Sequence, residues 1–232
     1  MSIEKPTDNK TPHPVEKPKN MPEEIPGNSY DKLYREKKAP FGSEAERVVK
    51  NIINWRSTGS VLELGAGDGR NALYLARQGF AVTAWDTSQV GLDILDQLAQ
   101  ENGLDFQTEI KDIGTQSSLG PDHHFDVFVC TYVLHHLSRQ DALFLIEEMQ
   151  KHTNTGGLNT IAAFTENSDF YRDNPETENF YLQENELQAL YPESEWEILE
   201  DAKAETQALK KRPDRSLMIN VSVELIAKKK EH

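Results

Sequence analysis

Short apolar runs alternate with amphipathic stretches through the middle of this chain. The apolar runs are five to eight residues long, which is typical of buried strands. The stretches between them carry apolar residues at helical spacing. Strands that alternate with helices in this way predict βαβ units and a parallel sheet. The predicted strands are Ser60–Leu64, Ala81–Trp85, 105–110, Phe125–Thr131 and Gly157–Phe164, and the predicted helices follow Gly69, span 88–101 and run from Ser138 to about 151.

The two ends of the chain depart from this rhythm. Residues 1–28 hold six of the eleven prolines and no aromatic residue, so we expect a disordered, charged tail before one domain at 29–232. Near the other end, Trp196–Glu200 and Leu217–Lys228 are separated by a polar stretch that we interpret as a loop. Because residues 219–225 alternate between apolar and polar, we expect an antiparallel pair at one edge of the sheet.

A helix is also predicted shortly before the first strand. Ser43 and Glu46 have the spacing of a capping box, in which each side chain bonds to the other residue's backbone N–H. Val48, Val49 and Ile52 follow on one helical face. The sequence therefore predicts a helix that begins near Ser43.

A glycine-rich loop directly follows the first predicted strand. Gly65, Gly67 and Gly69 form Gly-x-Gly-x-Gly, whereas dinucleotide binding uses Gly-x-Gly-x-x-Gly and would require glycine at Arg70. Glu63 lies two residues before the loop. An acid there suits a ligand that carries an ammonium group and would repel a pyrophosphate. The loop therefore favours a nucleotide-like cofactor with an amino-acid end over a dinucleotide.

Two further acids close predicted strands. Asp86 ends the second strand, where a carboxylate can accept hydrogen bonds from ribose hydroxyls. Asp112 follows the third strand and is a candidate acceptor for an adenine amino group, with Ile113 beside it. Each also has a structural alternative, since Asp86 can cap the next helix and Asp112 can form a turn.

The segments Leu62–Asn71, Ala84–Asp86, Lys111–Asp112 and Asp126–Val129 together resemble class I S-adenosylmethionine-dependent methyltransferases. Gly69–Ala76 and the region 180–191 resemble more narrowly the tellurite-resistance TehB branch. The resemblance implies a doubly wound, mostly parallel, seven-stranded Rossmann-like α/β sheet with an antiparallel C-terminal edge, and S-adenosyl-L-methionine as cofactor. The cofactor contacts that it implies are Tyr34, Glu63, Gly65, Ala66, Gly67, Arg70, Asn71, Asp86, Thr87, Asp112, Ile113 and Thr131.

The resemblance also implies a reaction, namely in-line methyl transfer to a small-molecule acceptor such as a tellurite- or selenite-type oxyanion or a thiol. One departure leaves that acceptor open. The TehB branch has a His-Arg pair before its last strands, whereas this chain has Arg212 and Arg215 there and no histidine. A cofactor-binding sensor without catalysis and a NAD-dependent oxidoreductase remain alternatives, although Arg70 argues against the second.

His135 is the candidate catalytic residue, because it follows the fourth strand at the edge where such sheets bind ligands. It could serve as a general base or shape the acceptor pocket. The alternative is that adjacent His135 and His136 point opposite ways, one packed and one solvated. No histidine pair has helical metal-ligand spacing and Cys130 is the only cysteine, so no metal is expected.

Charge and hydropathy limit the partners. The formal net charge is -14, which disfavours nucleic acid and anionic membrane surfaces because both bind through lysine and arginine. No apolar run approaches the roughly 20 residues that a membrane span needs, and the opening residues lack the apolar core of a signal peptide. We therefore expect a cytoplasmic monomer or homodimer.

Overall fold

The computed structural model describes residues 29–114, 119–120 and 123–231, apart from the side chains of residues 209 and 210. The strands within these residues are Ser60–Leu64 (β1), Ala81–Asp86 (β2), Phe106–Ile110 (β3), Phe125–Thr131 (β4), Thr153–Phe164 (β5), Trp196–Lys211 (β6) and Leu217–Lys229 (β7). They form one sheet in the order β3-β2-β1-β4-β5-β7-β6. β1 to β5 are parallel, and β7 is antiparallel to both β5 and β6. The predicted fold class is confirmed, while the tail predicted at 1–28 lies outside the described residues.

The chain reverses direction across the sheet at β1. β2 and β3 lie on one side of it, and β4 and β5 lie on the other. Leu64 at the end of β1 is level with Trp85 in β2 and with Cys130 in β4. Connections that leave these strand ends in opposite directions open a crevice at the carboxyl edge, which is where doubly wound sheets bind ligands.

Helices cover both faces of the sheet. Successive side chains of β1 point to opposite faces of the sheet, as strand geometry requires. Leu62 and Leu64 therefore belong to one hydrophobic core and Val61 to the other. No helix in the described part of the chain has the length and apolarity of a bilayer crossing. The helices there are Ser29–Glu36 (α1), Arg47–Lys50 (α2), Arg70–Arg77 (α3), Gln89–Asn102 (α4), Arg139–His152 (α5), Asp169–Arg172 (α6) and Glu186–Ala189 (α7), with 3₁₀ turns at Asn51–Asn54 and Leu134–His136.

The polar loop predicted after Glu200 is wrong, because β6 continues to Lys211 and forms a long hairpin with β7. The inner face of this extension carries alanines such as Ala202 and Ala204, whose small side chains give a weak hydrophobic signal. The outer face carries Lys203 and Glu205, which are exposed. An edge strand of this composition has the polarity of a loop although it pairs with β7 over most of its length, with irregularities at 198–200 and 207–211.

The capping box predicted at Ser43 is also wrong. α2 begins only at Arg47, and its N-cap residue Glu46 makes no side-chain capping bond. The Glu46 N–H instead donates to Asn71 Oδ1 at 2.9 Å, and its carboxylate pairs with Arg70. Contacts with α3 have thus replaced the local cap.

α1 is held against the start of α4. Asp31 is buried, and its Oδ1 accepts hydrogen bonds from Ser88 Oγ at 2.5 Å and from Val90 N at 3.3 Å. Ser88 is also the N-cap of α4, where its Oγ accepts from Gly91 N at 3.0 Å. This junction fixes α1 beside the glycine loop, although the two helices are far apart in sequence.

We predict that Asp31→Ala loosens α1 locally. Ser88 Oγ–H and Val90 N–H lose their acceptor, which costs roughly 1–3 kcal/mol when such groups stay buried, so amide exchange in α1 should accelerate about tenfold. Hydrogen exchange read by mass spectrometry measures this. Lys32→Ala, on the exposed side of the same helix, is the control; equal protection in the two variants would contradict the role given to Asp31.

Candidate functional site

A continuous cleft of about 1660 Å³ runs along the carboxyl edge of the sheet, from α1 to the β6–β7 hairpin. Every residue that the sequence singled out for cofactor binding or catalysis lines it. The structure thus brings together residues from α1, four strand ends and the start of α3. They are Tyr34, Glu63, Gly65, Ala66, Gly67, Arg70, Asn71, Asp86, Thr87, Asp112, Ile113, Thr131 and His135.

The glycine loop has a backbone that favours glycine. Gly65, Gly67 and Gly69 have φ values of 73°, 57° and 86°, in the left-handed region that other residues enter at a cost. Close neighbours add a second constraint. A Cβ on Gly65 would lie 2.3 Å from Val133 Cγ2, and one on Gly67 would lie 2.3 Å from Tyr34 Oη. The loop is therefore closely packed between α1 and the residues after β4.

Glu63 is buried beneath this loop, with 1% of its surface exposed. Its Oε1 accepts from Asn71 Nδ2 at 2.9 Å, and the same Nδ2 donates to Thr131 Oγ1 at 3.1 Å. Its Oε2 is buried and has no hydrogen-bond partner. Burial raises the pKa of Glu63 to about 8, although the Asn71 bond opposes the shift. The site therefore offers one unpaired carboxylate oxygen, which a cationic group would satisfy.

Asp86 shapes the loop from the end of β2. Its Oδ2 accepts from Gly67 N and its Oδ1 from Ser88 N, each at 2.7 Å. Burial raises its pKa, and the bonds from these backbone N–H groups oppose that rise. A carboxylate has about four acceptor sites, and the backbone N–H groups of Gly67, Ser88 and Thr87 use three of them, so capacity for a ligand hydroxyl remains. Ser88, rather than Asp86, caps α4.

Asp112 and Ile113 lie beyond Asp86 at the same edge. Asp112 Oδ1 accepts from Gly114 N at 2.8 Å, which is the turn chemistry that the sequence left open as an alternative. Nearby, Lys111 Nζ lies 3.8 Å from the centroid of the Trp85 ring. This part of the cleft combines the apolar side chain of Ile113 with the carboxylate of Asp112.

α1 covers one end of the cleft. Tyr34 is buried and lies against Gly67, and burial, with a smaller contribution from Asp86, raises its pKa above the ordinary range. Tyr30 Oη lies 2.7 Å from His136 Nε2 on the opposite wall. Arg70 Nη1 donates to the Phe41 carbonyl at 2.7 Å. Arg70 therefore secures the segment after α1 in addition to facing the cleft.

His135 lies toward the hairpin end of the cleft. Its ring centroid is 4.7 Å from that of Phe164 and 3.9 Å from that of His136. Its Nδ1 is buried without a partner, and burial lowers its pKa well below the usual value, so the imidazole is neutral near pH 7. Both histidines line the cleft and so do not point opposite ways, but His135 is half-buried and His136 is exposed, as the alternative expected. Among the described residues, no three His, Cys, Asp or Glu side chains are grouped to hold a metal.

Four aromatic residues of this end were missed by the sequence reasoning: Tyr132, Phe164, Phe170 and Tyr181. Tyr132 directly follows β4 with φ at 56°, and its ring lies 4.9 Å from that of Phe164. Because Phe164 ends β5, both residues could have been found by asking which side chains close parallel strands. Tyr181 gave no such signal, since it comes from a segment between α6 and α7.

Comparison with known proteins gives related sequences. A TehB from Haemophilus influenzae, named a probable S-adenosyl-L-methionine-dependent methyltransferase, is 36% identical over 140 residues, which are 60% of this chain and 46% of that protein. A ubiquinone biosynthesis O-methyltransferase of Rickettsia conorii is 28% identical over 137 residues, 58% of this chain and 43% of its own. This chain therefore spans about half the length of the curated relatives it matches.

Solved structures and a family model agree with these sequences. The crystal structure of TehB from Haemophilus influenzae superposes with a TM-score of 0.70 at 27% identity, over 87% of this chain and 67% of that one. A putative methyltransferase of Bacillus halodurans shares the fold at 13% identity, with a TM-score of 0.63 over 81% of this chain and 100% of its own. The model of the tellurite resistance protein TehB matches residues 29–221. This chain belongs to the TehB family, as the resemblance around its glycine loop predicted.

Proposed function

We propose that this chain transfers the methyl group of S-adenosylmethionine to a small-molecule acceptor. The observation that carries the proposal is the unpaired Oε2 of Glu63, buried beneath a loop of left-handed glycines. A buried carboxylate oxygen without a partner is costly, and the ammonium group of a methionine moiety would complete it. The names of the relatives from Haemophilus influenzae and Rickettsia conorii point to the same chemistry.

The remaining cleft residues fit the other parts of this cofactor. The acceptor capacity that Asp86 keeps beside its backbone bonds suits a ribose hydroxyl. Asp112 and Ile113 suit an adenine ring, which needs an acceptor for its amino group and an apolar surface. Thr87 and Tyr34 line the same cleft. Asn71 and Thr131 act mainly by holding Glu63, because both Nδ2 hydrogens of Asn71 are already used.

The volume of the cleft leaves space for a second reactant. Single small-molecule sites are roughly 300–1,000 Å³, and this cleft is about 1660 Å³. When bound, the sulfonium of the cofactor supplies an activated methyl group. The protein then has to hold two molecules in line, and alignment of this kind is worth at most about 7–11 kcal/mol. The candidate acceptors are a tellurite- or selenite-type oxyanion, from the family description, and a thiol.

The proposal is tested by binding and by transfer. Calorimetric titration of the full chain with S-adenosylhomocysteine should give saturable heat, whereas NADH should give none. Incubation with S-adenosylmethionine labelled at the methyl group should then deliver label to at least one member of a panel of thiols, amines, tellurite and selenite. Heat from NADH alone would refute cofactor binding, and bound cofactor that never releases its label would refute the transfer step.

Gly67→Ala should abolish cofactor binding. The new Cβ would meet Tyr34 Oη in the loop, and the left-handed backbone adds a cost of about 1–2 kcal/mol. Gly79→Ala is the matched control, since Gly79 also has a positive φ but no atom lies within 4 Å of the position that its Cβ would take. We expect both variants to lose some thermal stability and only Gly67→Ala to lose the calorimetric signal. Equal cofactor affinity in both would show that the loop is not the binding site.

From the raised pKa of Glu63 we predict that the affinity for the cofactor depends on pH. The pKa of Glu63 is about 8 in the free protein, and an ammonium partner lowers it. Binding therefore releases a proton below pH 8, and affinity for S-adenosylhomocysteine should rise by up to tenfold per pH unit from pH 6 to 8. Titrations in buffers of different ionisation enthalpy count the protons released. A flat profile would contradict the Glu63 contact.

Glu63→Gln is the control for that profile. It keeps the shape of the side chain, and we expect weaker binding with no dependence of affinity on pH.

The stability of the ligand-free protein gives a second measurement of the Glu63 pKa. Because the folded-state pKa lies above the ordinary 4.5, the stabilising effect of the bound proton is complete at low pH and is lost as pH rises through about 8. The melting temperature should therefore fall more steeply with pH in the wild type than in Glu63→Gln.

A further inference from the structure

Arg212 lies at the hairpin end of the cleft, but its guanidinium group is already bound within the protein. Its Nε and Nη2 donate to the two carboxylate oxygens of Asp173 at 2.7 and 3.0 Å. Nη2 also lies 3.2 Å from Asp169 Oδ1, and Nη1 donates to the Leu217 carbonyl at 3.1 Å. The two carboxylates, one in a bidentate and one in a single contact, more than neutralise the one arginine charge. Arg212 therefore fastens β7 to α6 and has little capacity left for an anionic acceptor.

Aromatic side chains form one wall of the cleft at this end. The Phe164 ring lies 4.9 Å from Tyr132 and 4.7 Å from His135, and His135 lies 6.3 Å from Tyr181. Met218, which is buried, also lines this end. Surfaces of this kind replace the water around a strongly hydrated oxyanion poorly. They do favour polarisable sulfur, which makes attractive contacts with aromatic rings.

A lysine that lines this end of the cleft does not change that balance. Lys211 lines the hairpin end of the cleft but is exposed to solvent, where its charge is screened. The chain as a whole carries a formal net charge of -14, which opposes accumulation of anions. An anionic acceptor is thus unfavourable both at the wall and at a distance.

The neutral imidazole of His135 favours some classes of acceptor over others. Burial lowers its pKa well below the usual value, so it is a weak base. An amine is protonated near pH 7, with a pKa of about 10, and must lose a proton before it can attack. A thiol has a pKa of about 8.5, and its neutral sulfur already carries a nucleophilic lone pair. Weak base catalysis therefore suits a thiol better than an amine or an alcohol.

From these contacts we infer that the methyl acceptor is a small uncharged thiol, bound against the wall formed by Tyr132, Phe164 and Tyr181. The inference rests on the proposed methyl transfer. The thiol sulfur forms a bond to the methyl carbon, and the bond between that carbon and the sulfonium breaks, leaving its electron pair on the cofactor sulfur. The S–H proton passes to the imidazole of His135 and then to water. The products are a methyl thioether, S-adenosylhomocysteine and one proton.

Matched probes test the acceptor class. Benzyl mercaptan, benzyl alcohol and benzylamine differ only in the nucleophile, and each is incubated separately with the full chain and labelled cofactor, alongside tellurite and selenite. We expect benzyl mercaptan to be methylated at least tenfold faster than any other probe. A measurement independent of turnover is the titration of benzyl methyl sulfide into the protein saturated with S-adenosylhomocysteine, which should give saturable binding.

Phe164→Leu should weaken binding of benzyl methyl sulfide at least fivefold, because it removes the central ring of the wall. Phe41→Leu makes the same exchange at the α1 end of the cleft and should change this affinity less than twofold. Thermal melting checks that both variants are folded. Should the wall substitution prevent folding, Tyr181→Leu, which removes another ring of the wall, should weaken sulfide binding at least threefold, and unchanged affinity would contradict binding at the wall.

The outcomes separate this inference from the function on which it rests. Turnover of tellurite or selenite without turnover of benzyl mercaptan overturns the thiol assignment and leaves methyl transfer standing. Binding of S-adenosylhomocysteine without methylation of any thiol, or equal effects of Phe164→Leu and Phe41→Leu on sulfide binding, also overturns it. Failure to bind S-adenosylhomocysteine removes the proposed function itself.

Discussion

The site depends on one carboxyl group that is kept almost out of contact with water. Glu63 lies on a central strand, on the same face as the apolar Val61, and a charge there is costly unless it is paired. One oxygen is satisfied by Asn71, which is fixed in turn by Thr131 and by the Glu46 backbone. The other oxygen is left to a ligand. Below about pH 8 this carboxyl keeps its proton, and a cationic group that binds there displaces the proton and pairs with the free oxygen.

The glycine loop gives the site around Glu63 its shape. Gly65 and Gly67 let the backbone turn over Glu63, while Val133 and Tyr34 approach too closely for any larger residue. Asp86 then fixes the loop through the Gly67 N–H. Tyr34 of α1, Asp86 of β2 and Val133 after β4 thus all contact this loop. The position of the loop therefore depends on how these three segments pack.

The sequence predicted those parts whose signals are local. Glu63 and Asp86 were found because the spacing of glycines and strand ends identifies them, and the buried strands were found because their apolar runs are continuous. β6 was missed beyond Glu200, since Ala202 and its neighbours give little hydrophobic contrast. The ion pairs of Arg212 and the bond between Asp31 and Ser88 were beyond reach, because they join residues whose proximity only the folded sheet creates.

Tyr132 links backbone strain to the shape of this cleft. A bulky residue with φ at 56° is strained by about 1–3 kcal/mol, and glycine at this position would relieve the backbone. Glycine would also remove a ring from the aromatic wall beside Phe164. Relief of backbone strain and preservation of the aromatic wall therefore act on the same residue in opposite directions.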